Sequence, residues 1–138
     1  MPAVSIASTR YSYPDGRKVV VHTGSVARTD TTAKELFTLN PGDIPIRIET
    51  YSGTASNAGT SASLSIGSTG NATYFVANMG LTATTITSGG VGQSIPSSAA
   101  NLGSALEFVT TVTATYAENG TASTAGGPWQ VFMYVLPG

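Results

Sequence analysis

Cysteine is absent from this chain. Disulfide bonds, thiolate nucleophiles and cysteine-ligated zinc or iron–sulfur centres are therefore excluded, and stability must come from packing and hydrogen bonding. Charge is scarce too: 9% of the 138 residues are charged, against roughly a quarter in an ordinary globular chain. With 6 basic and 7 acidic residues and a formal net charge of -1, there is no basic excess to neutralise phosphates. Neither nucleic acid nor a membrane is an expected partner. No apolar run approaches the ~20 residues that span a bilayer, and the start Met1-Pro2-Ala3-Val4-Ser5 has no basic region followed by an apolar core, so no export signal is expected. Disorder does not account for the missing charge, because disordered chains combine low hydrophobicity with high net charge, whereas this chain is 41% hydrophobic. Ser, Thr, Asn and Gly stand in for charges on strands and loops, a composition suited to surfaces that pack against other subunits.

Catalytic equipment is equally sparse. His22 is the single histidine, so a multi-histidine metal site is excluded, and no carboxylate or hydroxyl partner is placed beside it in the sequence. Asp15, Asp30, Asp43, Glu35, Glu49, Glu107 and Glu118 are scattered without the Asp-x-Asp or Asp-x-Asn spacing of a calcium loop. Gly89-Gly90-Val91-Gly92 lacks the Lys-Ser or Lys-Thr of a phosphate loop, and no helical pattern follows it. Asn71-Ala72-Thr73 and Asn119-Gly120-Thr121 match the glycosylation acceptor pattern, which matters only in a secretory pathway. The expectation is a non-enzymatic protein with no cofactor and no metal. A small β-sandwich hydrolase or lyase would need His22 and several carboxylates in one cleft.

What is present is β-pattern. Pro14-Asp15-Gly16 has strong turn chemistry and is followed by a strand from about Lys18 to Val26. Lys34 to Leu39 is too short for an ordinary helix before the Pro41-Gly42 turn and reads as a second strand. Ile44, Ile46 and Ile48 alternate with Pro45, Arg47 and Glu49, which predicts three isoleucines on one sheet face; Pro45 marks an edge or the start of pairing. After a Ser/Gly/Asn/Ala loop from Tyr51 to Thr60, Ala62, Leu64 and Ile66 alternate with Ser61, Ser63 and Ser65. Thr73 to Ala77 and Leu81 to Thr87 are further β-prone runs. Ser88 to Ser104 reads as a long irregular contact loop. Leu106, Phe108, Thr110, Val112, Ala114 and Tyr116 predict one face of a long strand, and Trp129 to Val135 a closing strand that is aromatic, apolar and buried.

About eight short strands and no convincing helix predict an all-β fold, a single antiparallel β-sandwich of jelly-roll type, in one domain over residues 17–138. Residues 1–16 form an N-terminal arm and turn. Most of the tyrosines and Trp129 fall at strand positions and read as packing groups. Tyr11 and Tyr13 differ, because an arm has no core of its own to fill; with Arg10 they are the candidate partner-binding residues.

The run Lys34-Glu35-Leu36-Phe37-Thr38-Leu39-Asn40-Pro41-Gly42-Asp43, the strand Ile44-Pro45-Ile46-Arg47-Ile48, the loop Tyr51 to Thr60, the strand Ser61-Ala62-Ser63-Leu64-Ser65-Ile66-Gly67 and the aromatic terminal strand together resemble small β-sandwich head-decoration and minor structural proteins of tailed bacteriophages. The resemblance covers roughly residues 30–138. It implies a capsid decoration, or cement, protein on the outer surface of the virion, assembled in the bacterial host cytoplasm. Its partners would be the major capsid protein and further copies of itself, as a homotrimer or other small homo-oligomer. A second reading is a phage tail, fibre or carbohydrate-binding module that uses Tyr51 to Thr60 and Ser88 to Ser104 as recognition loops, since one fold serves several functions.

Overall fold

The computed structural model describes residues 18–51, 54–82, 91–95 and 101–138. Eight strands run in chain order: β1 Val20–Val26, β2 Lys34–Leu39, β3 Ile44–Tyr51, β4 Ser61–Ser68, β5 Asn71–Gly80, β6 Val91–Ile95, β7 Thr110–Asn119 and β8 Trp129–Leu136. They form two four-stranded antiparallel sheets, ordered β1-β8-β3-β6 and β2-β7-β4-β5. Each sheet interleaves early and late strands, the order of a jelly roll built from two Greek keys. The all-β sandwich expected from the sequence is the fold observed.

Alternation explains which side chains meet between the sheets. On β4, Ala62, Leu64 and Ile66 are buried while Ser61 and Ser63 are half-exposed; on β7, Val112, Ala114 and Tyr116 are fully buried. β8 contributes Trp129, Val131, Met133 and Val135 from the facing sheet. It lies between β1 and β3, with Val26 opposite Trp129 and Ile44 opposite Leu136. This terminal strand is central to its sheet, which explains its apolar composition. Gly67 is required where β5 folds over β4: a Cβ there would collide with the Asn71 carbonyl and the Ala72 backbone.

Three expectations need correction. The three isoleucines of β3 do not share a face, because the register against β8 shifts between Pro45 and Arg47. Pro45 and Ile48 are buried while Ile44 and Ile46 are half-buried, as a bulge that reverses the side-chain phase requires. The strand predicted from Leu106 begins at Thr110, and Phe108 is 75% exposed rather than inward. The region Ser88 to Ser104 is not wholly irregular, since it contains β6, paired with β3. Of the β-prone run Leu81 to Thr87, Leu81 and Thr82 are described, and Thr82 forms a bridge with Ser56. Residues 83–87 lie outside the described residues.

The register also defines two ends of the sandwich. One end carries the turn 40–43, the turn 69–70, the segment 101–109 and the C-terminal residues: Leu39 faces Thr110, Ser68 faces Val112 and Ile44 faces Leu136. β1 starts at this end, with Val20 opposite Val135. The other end carries 27–33, 54–60 and 117–128.

Candidate functional site

At the second end, the loops bind one another. Ser56 N–H donates to Leu81 O (2.9 Å), Gly59 N–H to Thr121 O (2.8 Å), Thr60 N–H to Asn119 O (3.0 Å) and Gly127 N–H to Thr54 O (3.0 Å). The Asn57 carboxamide oxygen accepts the N–H groups of Thr124 (2.9 Å) and Ala125 (3.0 Å), and its NH2 donates to Thr124 Oγ1 (3.0 Å). Arg28 donates to Ser123 O (3.0 Å). Both Glu118 carboxylate oxygens accept from Ser123, from its Oγ (2.6 Å) and its N–H (2.7 Å); these bonds hold the carboxyl below its ordinary value. Beneath the loops, the Tyr116 ring stacks on Trp129 at 5.2 Å, and its hydroxyl meets Ser56 Oγ at 2.6 Å. The described part of the loop Tyr51 to Thr60, considered as a recognition loop, is therefore a structural splint with its polar groups engaged internally.

The first end is built differently. Residues 103–106 run along the turn that precedes β3: Gly42 N–H donates to Leu106 O (2.8 Å), Leu106 N–H to Asp43 O (2.9 Å) and Gly103 N–H to Pro45 O (2.7 Å). Asn101 Nδ2 donates to Tyr74 O at 2.6 Å, and Leu102 and Leu106 are buried. The segment is anchored on both sides, yet Phe108 and Val109, between the Leu106 anchor and β7, are 75% and 64% exposed. A large apolar pair held to solvent by a fixed backbone is informative where a lone exposed residue is not. Val20, also at this end, is exposed as well. Nearby, Asp43 accepts the N–H groups of Asn40 (2.9 Å) and Gly138 (3.1 Å), and Glu107 is exposed.

The outer faces of the two sheets also contrast. On β7 and β4 the side chains turned away from the core are Thr111, Thr113, Thr115, Ser63 and Ser65, with Ser65 opposite Thr115, and of these Thr113 and Ser65 are nonetheless buried. On β3 and β8 they are Arg47, Glu49, Tyr51, Phe132 and Tyr134. There Arg47 pairs with Glu49 at 2.6 Å, Tyr134 donates to the other Glu49 oxygen at 2.8 Å, and the guanidinium lies 5.6 Å from the Tyr134 ring centroid. Such an exposed ion pair adds little stability. It fixes the orientation of Tyr134 on a face where Tyr51 is 49% exposed.

His22 points between the sheets and stacks on Phe37, with centroids 5.1 Å apart. Burial lowers its proton affinity below the ordinary 6.5, with Asp43 acting in the opposite sense. Among the described residues, no three His, Asp or Glu side chains come together as a metal-binding group, and no helix is long and apolar enough to cross a membrane. Arg10, Tyr11 and Tyr13, the sequence candidates for partner binding, lie outside the described residues, as does the arm 1–16. Phe108 and Val109 are the surface that sequence reasoning assigned elsewhere. The signal was present in Phe108-Val109, adjacent bulky residues that cannot both face the interior of one strand.

No protein-family model and no curated protein matches the chain. Among solved structures, the fold is similar to a chain of the cyanophage Pam1 capsid asymmetric unit, with a TM-score of 0.64 and 26% sequence identity over 100% of both chains.

Proposed function

We propose that this chain is a non-enzymatic virion structural protein that decorates the outer surface of a phage head, binds the major capsid protein and cements its contacts. The observation that carries this reading is the similarity, over the full length of both chains, to a component of a cyanophage capsid. The 9% charge content supports packing against other subunits, including copies of itself in a homotrimer or other small homo-oligomer. Each copy needs only modest contacts, because many symmetric copies acting on a closed shell add their contributions. The N-terminal segment with Arg10, Tyr11 and Tyr13 serves as a tether to the capsid surface.

The test is co-sedimentation of the purified protein with heads that lack it, alongside its mass by light scattering. The reading predicts saturable binding by a small oligomer and a higher temperature of head disruption. Deleting residues 2–13 should weaken binding while leaving the domain folded. A monomer that ignores capsids would sink the reading, and glycan binding without capsid binding would replace it with the carbohydrate-binding module.

A further inference from the structure

We infer that the sandwich stands on the capsid with its Phe108–Val109 end down, and that this pair inserts into an apolar depression with a cationic rim on the major capsid protein. The inference rests on the decoration reading and adds an orientation and an anchor to it. Three observations carry it. First, among the described residues three of the four exposed large apolar side chains, Val20, Phe108 and Val109, lie at this one end. Phe108 and Val109 also sit on a backbone already fixed by Leu106 and Asn101, so docking them needs little ordering of the loop. Second, the chain enters the described fold at Lys18, beside β1 and at the same end, and 17 residues precede it. A tether and an apolar anchor that start side by side contact one partner with the least strain on the linking chain. Third, Asp43, whose backbone carbonyl holds Leu106, and Glu107 lie at this end, where Lys18 is the one cation among the described residues. That imbalance calls for cationic groups at the rim of the complementary surface.

The opposite end makes a poor foot. Its loops satisfy one another's N–H and C=O groups, and among the described residues Tyr51, 49% exposed at the end of β3, is the one large apolar side chain exposed there, against three at the Phe108–Val109 end. It would face outward from the head.

The experiment measures binding of the full-length protein to undecorated heads. Phe108→Ser combined with Val109→Ser should weaken binding at least about tenfold, as expected for a buried apolar anchor at an interface, whereas Ala122→Glu at the far end should bind as the unchanged protein does. Because the chain contains no cysteine, a single Glu107→Cys or Ala122→Cys gives one thiol. Bound to heads, the thiol at 107 should lose its reactivity toward maleimide and that at 122 should keep it. Retained affinity in the double variant, or protection at 122 with free reaction at 107, would overturn the orientation while leaving decoration intact. Failure of the unchanged protein to bind heads would remove the underlying reading instead.

Discussion

The two ends of this sandwich are made of the same residue classes but use them in opposite ways. At the end formed by 27–33, 54–60 and 117–128, Asn57, Glu118, Ser123 and Arg28 close hydrogen bonds from loop to loop over the Tyr116–Trp129 stack. At the other, Leu102 and Leu106 tie a loop down while Phe108 and Val109 are held out in solvent. Internal satisfaction marks an end that stabilises the domain. Exposed apolar groups on a tethered backbone mark an end available to a partner. Substitutions at the 54–60 and 117–128 end should therefore act on folding, and substitutions at the Phe108–Val109 end on association.

The strongest break in this comparison is Trp129→Ala. Removing a fully buried indole that stacks on Tyr116 should cost about 3–5 kcal/mol, read as a lower midpoint in urea unfolding. Asn57→Ala removes two acceptor bonds and one donor bond between loops. Because water replaces part of that loss at an exposed position, the cost should be near 1 kcal/mol, with faster amide exchange at Thr124 and Ala125.

A smaller effect is pH-dependent. The His22 imidazole is held below its ordinary 6.5 mainly by burial, so the unfolded chain takes up a proton that the folded chain resists. Stability is then full above about pH 6.5 and falls as pH drops through that value toward the folded-state value. His22→Gln should flatten that part of the stability profile, since the chain has no other histidine. The smallest expected effect is on the Phe108→Ser, Val109→Ser protein, whose unfolding should stay within about 0.5 kcal/mol of the unchanged chain. A large loss of stability there would mean that both ends are structural.

How much of this was legible in the sequence follows from where side-chain period and backbone geometry agree. Ala62, Leu64 and Ile66 keep the regular pairing of β4 with β7, so period two placed them correctly, whereas the apolar run of the terminal strand predicts burial without predicting that Phe132 and Tyr134 turn to the outer face. Ile44 and Ile46 did not obey period two because the bulge between Pro45 and Arg47 inserts one residue into the register, and nothing in the isoleucine spacing reports that. Phe108 was misassigned for a related reason: alternation continues on paper through 106 to 116, while Leu106 bonds instead to the turn at Gly42 and Asp43. β6, with Gly92, Gln93 and Ser94 between its two apolar ends, carries too weak a pattern to distinguish from loop. The internal role of the loop 54–60 depended on its fit to residues 119–127, a tertiary fact that local composition does not encode.

The most direct test of the contrast between the two ends is peptide-resolved hydrogen exchange on the free protein and on the protein bound to heads. Free, the amides of Gly59, Thr60, Thr124 and Ala125 should already be protected; on binding, new protection should be concentrated in 40–43 and 101–109. New protection confined to 54–60 and 119–127, with 101–109 unchanged, would contradict the account.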